Sequence, residues 1–384
     1  MEKGIESMKE KLVIPSCFGV AFVWFTTHFG GGFASGRQVA EFYVTYGWFA
    51  IFMPIIAMAI NGLVFYYAWD FSVKHQVFDY KSWTDKFYSP YQKIFSNLYE
   101  LVFVITMFVA TAVGFATGGE IIEEALGTPY IINTLMIAVI IFLLTIFGAK
   151  LIRKVATIVA IALIIGVGII YGTNAVVSFP AVMDLVASQR TETSFLAAAW
   201  RMLLYASFQA LAVGAYVAVA DALNDGEDVK KAGMIGFAIN AILLTLASIT
   251  VLAHYPEVLD IPVPTIYVVR EGVGGAFAEG LISVLILFGA VSTGVNFVFG
   301  GVKRIVAWWP GEVEEQKERK RAIIASLIFV ILTWCIALFG LIPLVARGYD
   351  LLGILGIPMI IIPVLYKLLL SKDAESTLAK DENI

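Results

Sequence analysis

Long apolar runs, each about the length of a bilayer crossing, alternate with short polar segments along almost the whole chain. A helix needs about 20 apolar residues to cross the hydrocarbon of a membrane. That ruler predicts ten spans, at roughly 12–45, 47–69, 96–120, 129–148, 151–178, 195–221, 231–253, 273–302, 321–340 and 345–371. The first is too long for one straight crossing. Two longer polar connections interrupt the series. Residues 70–95 carry Lys74, Lys81, Lys86 and Lys93 among aromatics and predict an interfacial helix. Residues 254–272 carry Pro256, Pro262 and Pro264 and predict a loop folded back over one face.

Composition agrees with an all-α integral membrane protein. Of 384 residues, 60% are apolar and 15% charged, with a mean hydropathy of +0.86. A soluble domain has about 45–50% apolar and about 25% charged residues. The net charge of −4 gives no basic face for nucleic acid. Cys17 and Cys335 both lie in apolar segments and read as small packing residues. No His pattern suggests a metal enzyme, and no G-x-x-x-x-G-K-[ST] motif suggests ATP-driven pumping. No cofactor, enzyme activity or obligatory protein partner is expected.

Charge also predicts orientation. With the N-terminus inside and ten crossings, 21 Lys and Arg fall on the inner side and five (Arg37, Arg190, Arg201, Arg270, Arg347) on the outer side. Cytoplasmic loops carry such an excess, so both termini are expected in the cytoplasm. No small-residue cleavage site follows the polar N-terminus, so the first apolar run reads as a retained span.

Ten spans divide into five plus five. The expected units are a cytoplasmic N-terminus at 1–11, a first repeat at 12–179, an external connection at 180–194, a second repeat at 195–372 and a cytoplasmic tail at 373–384. An odd number of crossings per half requires the halves to be inverted. Weak echoes follow this register: Phe33-Ala34-Ser35 with Tyr205-Ala206-Ser207, and Ala59-Ile60-Asn61 with Ala238-Ile239-Asn240. Inverted repeats and discontinuous helices near the midplane characterise many secondary transporters.

The first span has a candidate break at Gly30-Gly31-Gly32. Each glycine costs a helix about 1 kcal/mol relative to alanine, and unwound backbone in lipid survives only against protein, water or ligand. A half-helix starting near Phe33 would aim its positive end at an anionic group such as a carboxylate; close packing through Gly32-x-x-x-Gly36 is the alternative. His28 abuts the break and reads either as a proton carrier or as a packing residue. Arg37 and Glu41, four apart, read as an outer gate or a structural pair. In the sixth span, Tyr205, Ser207, Phe208 and Gln209 are weaker candidates, since no Gly or Pro interrupts them. Ser292 and Thr293 in the eighth span suit a hard cation, or bond back to their own helix. Asn61, Asn240 and Asn296 read as ties between helices, with Asn296 also a candidate to face the site.

The stretch Gly30-Gly31-Gly32-Phe33-Ala34-Ser35-Gly36-Arg37-Gln38 resembles the G-x-G-F-A-S-G-Q-E segment of the YkvI-like bacterial membrane proteins. Arg37-Gln38 stands where Gln-Glu is usual. That family belongs with the amino acid–polyamine–organocation superfamily, whose fold is the LeuT-like five-plus-five inverted repeat with broken helices one and six. The resemblance implies an alternating-access carrier in a bacterial inner membrane, moving an amino acid or similar small zwitterion or amine. Its site would lie between spans one and six, at Gly30, Gly31, Gly32, Phe33 and Ser35 and at Tyr205, Ser207, Phe208 and Gln209, with Asn296. By the same likeness, Thr26, Phe29, Gly289, Ser292 and Thr293 would hold a coupling Na⁺. No lysine stands mid-span in span five to replace that ion, and His28 keeps proton coupling open; a non-transporting membrane sensor on the same fold is the other alternative.

Overall fold

A computed structural model of the chain describes residues 15–309 and 315–369, apart from the side chains of 148–160, 303, 307, 308, 315 and 316. The expected terminal segments 1–11 and 373–384 lie outside the described residues. The chain is an all-α membrane protein. Among the described residues, nine helices are long and apolar enough to cross a membrane: Met53–His75, Gln92–Leu126, Tyr130–Phe147, Ile161–Ala187, Phe195–Ala222, Gly226–Leu252, Gly275–Val306, Lys317–Ala337 and Leu341–Leu369. They are spans two to ten of the sequence reading.

Span one escapes that count because it is in pieces: α1 (Ser16–His28), α2 (Gly31–Ala34) and α3 (Arg37–Phe42). Two short helices fill the long connections. One is α4 (Tyr80–Phe87), begun by an Asp79 cap whose carboxylate accepts the Lys81 and Ser82 amides. The other is α5 (Pro264–Glu271), which starts with a proline in its first turn.

The lipid faces explain the hydropathy. In span four, Ile131, Ile132, Leu135, Met136, Val139 and Leu143 are exposed, while Asn133, Thr134, Ile137, Ala138 and Ile141 are buried. The apolar stripe points outward and the polar and small residues point inward, the reverse of a soluble helix.

Spans one, two, six and seven pack together, as do three, four, eight and nine; span ten rests on six, and five on seven. Span two thus packs on seven and three on eight, partners of equal rank in the two halves. Helix ends differ from the expected ones. Span five continues to Ala187, straight through Pro180 and nine residues past the expected limit of 178, so much of the expected 180–194 connection is helix. Span three runs from Gln92 to Leu126. Both extensions add polar turns that hydropathy assigns to loops.

Candidate functional site

The three glycines do what their cost predicts. The chain passes Phe29 and Gly30 as bends, with Gly30 extended at φ −79°, ψ −178°. Helical bonding ends with Phe29 N–H to Phe25 O (2.7 Å) and restarts with Ala34 N–H to Gly30 O (2.9 Å). The carbonyls of residues 26 to 29 therefore lack the helical amides that an unbroken span would give them. A second interruption follows at Gly36, whose φ of +79° is left-handed and suits glycine. A side chain there would also strike Thr265, whose amide is bound to Ser35 O at 3.0 Å.

This second break corrects one expectation. No continuous half-helix starts at Phe33: α2 has four residues, too few to sum to a useful macrodipole. Individual amides and carbonyls are what the break offers.

A cavity of about 40 Å³ opens onto the break, lined by Gly30, Gly31 and His28 of span one, Phe208 and Gln209 of span six, and Thr293 of span eight, among others. That is room for about three water-sized groups. Two hydroxyls beside it are buried without a hydrogen-bond partner, Thr293 Oγ1 and Thr117 Oγ1. A Cβ on Gly30 would lie 3.4 Å from Thr293 Oγ1, and one on Gly31 2.8 Å from Thr117 Oγ1. A Cβ on Gly289 would lie 2.8 Å from Phe29 O, so that carbonyl is turned toward span eight. Phe29, Gly289 and Thr293 therefore meet. Thr26 Oγ1 is bound to its own helix at Phe22 O (2.9 Å), leaving only its carbonyl, and half-buried Ser292 lines neither this cavity nor the one below.

Other candidates are committed to the framework. Ser207 Oγ donates to Gly353 O of span ten (2.7 Å), and Ser35 Oγ to Gly32 O (3.0 Å). Gly32 is covered by Gln38. Phe33 stacks near His28 and Phe29, with ring centroids 4.8 and 5.3 Å away. His28 joins three spans: Nδ1 meets Asn240 Oδ1 and Nε2 meets the Tyr205 hydroxyl, each at 2.7 Å.

The two sides of the break are unequal. Toward the lysine-rich face a vestibule of about 490 Å³ begins at Thr27, Thr293 and Phe297, which also line the smaller cavity. It continues past exposed Asn296 to Asp79, Lys81 and Arg304. Asp79 at its mouth is pushed up by partial burial, but hydrogen bonds from Ser82 and Lys81 outweigh this and hold it below the usual carboxylate range. Toward the opposite face, charges close the path. Glu41 bridges Arg37 (3.3 Å) and Arg201 (2.6 Å), and Arg201 also pairs with Asp350 of span ten. Arg37 Nη1 donates to Leu259 O (2.6 Å) and Ile261 O (3.1 Å), pinning the 254–272 connection over the site.

No family model matches the chain. The uncharacterised membrane protein YkvI of Bacillus subtilis is 25% identical over 302 residues, 76% of this chain and 81% of that protein. A Na⁺-coupled sialic acid symporter, solved substrate-bound and outward-open, superposes with a TM-score of 0.64 at 15% identity, over 90% of this chain and 77% of that one. A manganese transporter of Eremococcus coleocola gives 0.62 at 15% identity, over 90% and 78%. MhsT, solved with L-phenylalanine, gives 0.53 at 12% identity, over 84% and 87%. The chain has the LeuT-like transporter fold. Its resemblance to the YkvI-like proteins stands, and its structural neighbours include a symporter and a metal transporter.

In this LeuT-like chain span six is also interrupted, at Leu211–Ala212, just after the stretch singled out in the sequence. Tyr99 of span three fills the gap. Its hydroxyl donates to Leu211 O (2.8 Å) and accepts the Gly214 amide (3.0 Å). Sequence reasoning missed Tyr99, as it missed Gln38, Thr117, Arg201 and Asp350 as parts of the site. Only Gln38 had a local signal, its place in the glycine motif.

Proposed function

We propose that this protein is an alternating-access carrier of an amino acid or similar small zwitterion or amine, coupled to Na⁺. The observation that carries this reading is the unwound turn at Phe29–Gly30 facing a cavity across which Thr293 holds an unpartnered buried hydroxyl. Carbonyl and hydroxyl oxygens are the donors a hard monovalent cation takes. The Thr26 and Phe29 carbonyls, the Gly289 region and Thr293 would hold it, with Ser292 the weaker member of the proposed set. The cargo would take the amides and carbonyls around Gly30 and Gly31 together with Gln209. Phe208 and Tyr349, stacked at 4.5 Å, wall the cavity.

The vestibule on one face and the four-charge lock on the other support a state open toward the lysine-rich side. By the positive-inside rule that side is the cytoplasm of a bacterial cell. Five-plus-five inversion, with repeats at 12–179 and 195–372, would supply the second, outward-open state by rocking one bundle against the other. The Na⁺-coupled neighbour favours the cation, and His28, clamped by Asn240 and Tyr205, serves as a tie between three spans.

The test is thermal stabilisation of the purified chain by a panel of amino acids and amines, in Na⁺ and in K⁺. A ligand present at about 100 times its dissociation constant adds about 2.7 kcal/mol. Na⁺-dependent hits that Thr293→Ala abolishes are expected. Hits indifferent to Na⁺ and to Thr293→Ala would overturn the cation assignment, and an empty panel would overturn the cargo class.

A further inference from the structure

Spans two and seven leave a groove between them on the lipid side of the bundle. They run antiparallel and meet at two points. A Cβ on Gly62 would lie 3.4 Å from Phe237 Cβ, and one on Gly233 3.5 Å from Tyr66 Cβ. With no side chain on either glycine, the space beside these contacts stays open, as a cavity of about 490 Å³. Exposed Leu63 on span two and exposed Met234 on span seven wall it, with half-buried Phe237 between. At 1.5 Å per residue, Phe237 to Lys230 covers about 10 Å along the helix, which lies within one leaflet.

Polar groups stand at one end of this groove. Tyr66 and Lys230, both exposed, close it toward the lysine-rich face. Neither the Tyr66 hydroxyl nor the Lys230 ammonium has a hydrogen-bond or ion-pair partner among the described residues. The acids around them are engaged elsewhere. Glu227 pairs with Lys231 (2.7 Å), and Asp70, one turn beyond Tyr66, pairs with Lys74 (2.7 Å). Asp228 accepts from Asn224 Nδ2 (2.7 Å), and Asp225 accepts the Glu227 and Asp228 amides. The groove thus offers an apolar slot in the hydrocarbon and a positive charge with a hydroxyl at the headgroup level.

The physics of the bilayer selects the occupant. Lipid tails are as apolar as the groove, so an acyl chain gains little by lying in it and the headgroup has to discriminate. A lysine at the membrane surface favours an anionic lipid over a neutral one by about fivefold. A second copy of the chain fits less well. A two-fold axis along the membrane normal sets the same patch of each copy at the same depth, so two Lys230 ammoniums would face each other without a counter-ion. We propose that the groove between spans two and seven binds a phospholipid of net negative charge, its acyl chain against Gly62 and Gly233 and its phosphate on Lys230 and Tyr66. Such a lipid bridges two spans of equal rank in the two halves. The site is separate from the span-one break and does not depend on the cargo or the coupling ion.

The experiment is native mass spectrometry of the purified full-length chain with dioleoylphosphatidylglycerol and, separately, dioleoylphosphatidylcholine. The wild type should retain the phosphatidylglycerol about fivefold more than the phosphatidylcholine. Lys230→Gln should reduce that ratio to less than about twofold, and Lys230→Arg should keep it. Ala59→Phe, which fills the lipid-exposed groove and leaves the charge in place, should lower retention of phosphatidylglycerol at an unchanged melting temperature. An equal ratio in wild type and Lys230→Gln, or full retention in Ala59→Phe, would overturn the proposal. Displacement of the lipid by glycerol phosphate alone would assign the lysine to a soluble anion and overturn the lipid site. A dimer that Ala59→Phe dissociates would assign the groove to a second copy instead.

Discussion

Glu41 is the hinge of the four-charge lock, and its neutralisation separates a gate from a mere structural pair. The carboxylate is 20% exposed, between an Arg37 that is 2% and an Arg201 that is 10% exposed. Removing one partner of a fully buried ion pair costs about 3–5 kcal/mol. Partial exposure lowers this, and Arg37 keeps its two backbone carbonyls while Arg201 keeps Asp350, so about 2 kcal/mol is a fair figure for Glu41→Gln. If the contacts exist only while the outer side is shut, that energy moves the closed–open balance by about thirtyfold. The assay places a cysteine at Ala110, which lines the cavity, in a chain with Cys17 and Cys335 replaced by serine. A membrane-impermeant thiol reagent is then added from the outer face. Glu41→Gln should speed labelling by roughly an order of magnitude or more. A lower melting temperature with unchanged labelling would show that the charges hold the fold and gate nothing.

Other residues give sharper local tests. Gly31→Ala puts a Cβ 2.8 Å from Thr117 Oγ1 and should destabilise the chain by about 1–3 kcal/mol, with most of the loss recovered in Gly31→Ala/Thr117→Ala. Additive losses in that double variant, read by thermal unfolding, would refute the contact. Tyr99→Phe strands Leu211 O and Gly214 N–H and should cost about 1–3 kcal/mol; an unchanged melting temperature would mean that water replaces the hydroxyl. Asp79→Ala should remove an N-cap contribution of about 1 kcal/mol. Because the folded carboxyl sits below its usual range, its contribution is present above the unfolded value and fades as pH falls through the folded one. The wild type and Asp79→Ala should therefore converge in stability toward low pH, and a constant gap across the acid range would refute the assignment.

What could be read from the letters follows from which interactions are local. Three consecutive glycines destabilise a helix wherever they stand, so the span-one break was legible. Arg37 and Glu41 are one helical turn apart, and their pairing needs no tertiary information. The span-six break carries neither Gly nor Pro at Leu211–Ala212; it persists because Tyr99, 112 residues earlier, supplies the missing donor and acceptor. Arg201 and Asp350 join Glu41 from two other spans, and Ser207 turns out to serve span ten. The expected dipole of a half-helix at Phe33 failed on Gly36, whose left-handed turn cuts the helix again. Span ends were misplaced where a helix leaves the bilayer and continues through polar residues, since hydropathy measures lipid contact and not helicity.

The most direct test of a carrier built on the broken span is uptake into proteoliposomes of a labelled compound from the stabilising panel, driven by an inward Na⁺ gradient. Accumulation that collapses when the gradient is dissipated, and that Thr293→Ala abolishes, is the predicted result. Binding of the same compound without uptake, with or without the gradient, would contradict it and make the chain a receptor on a transporter fold.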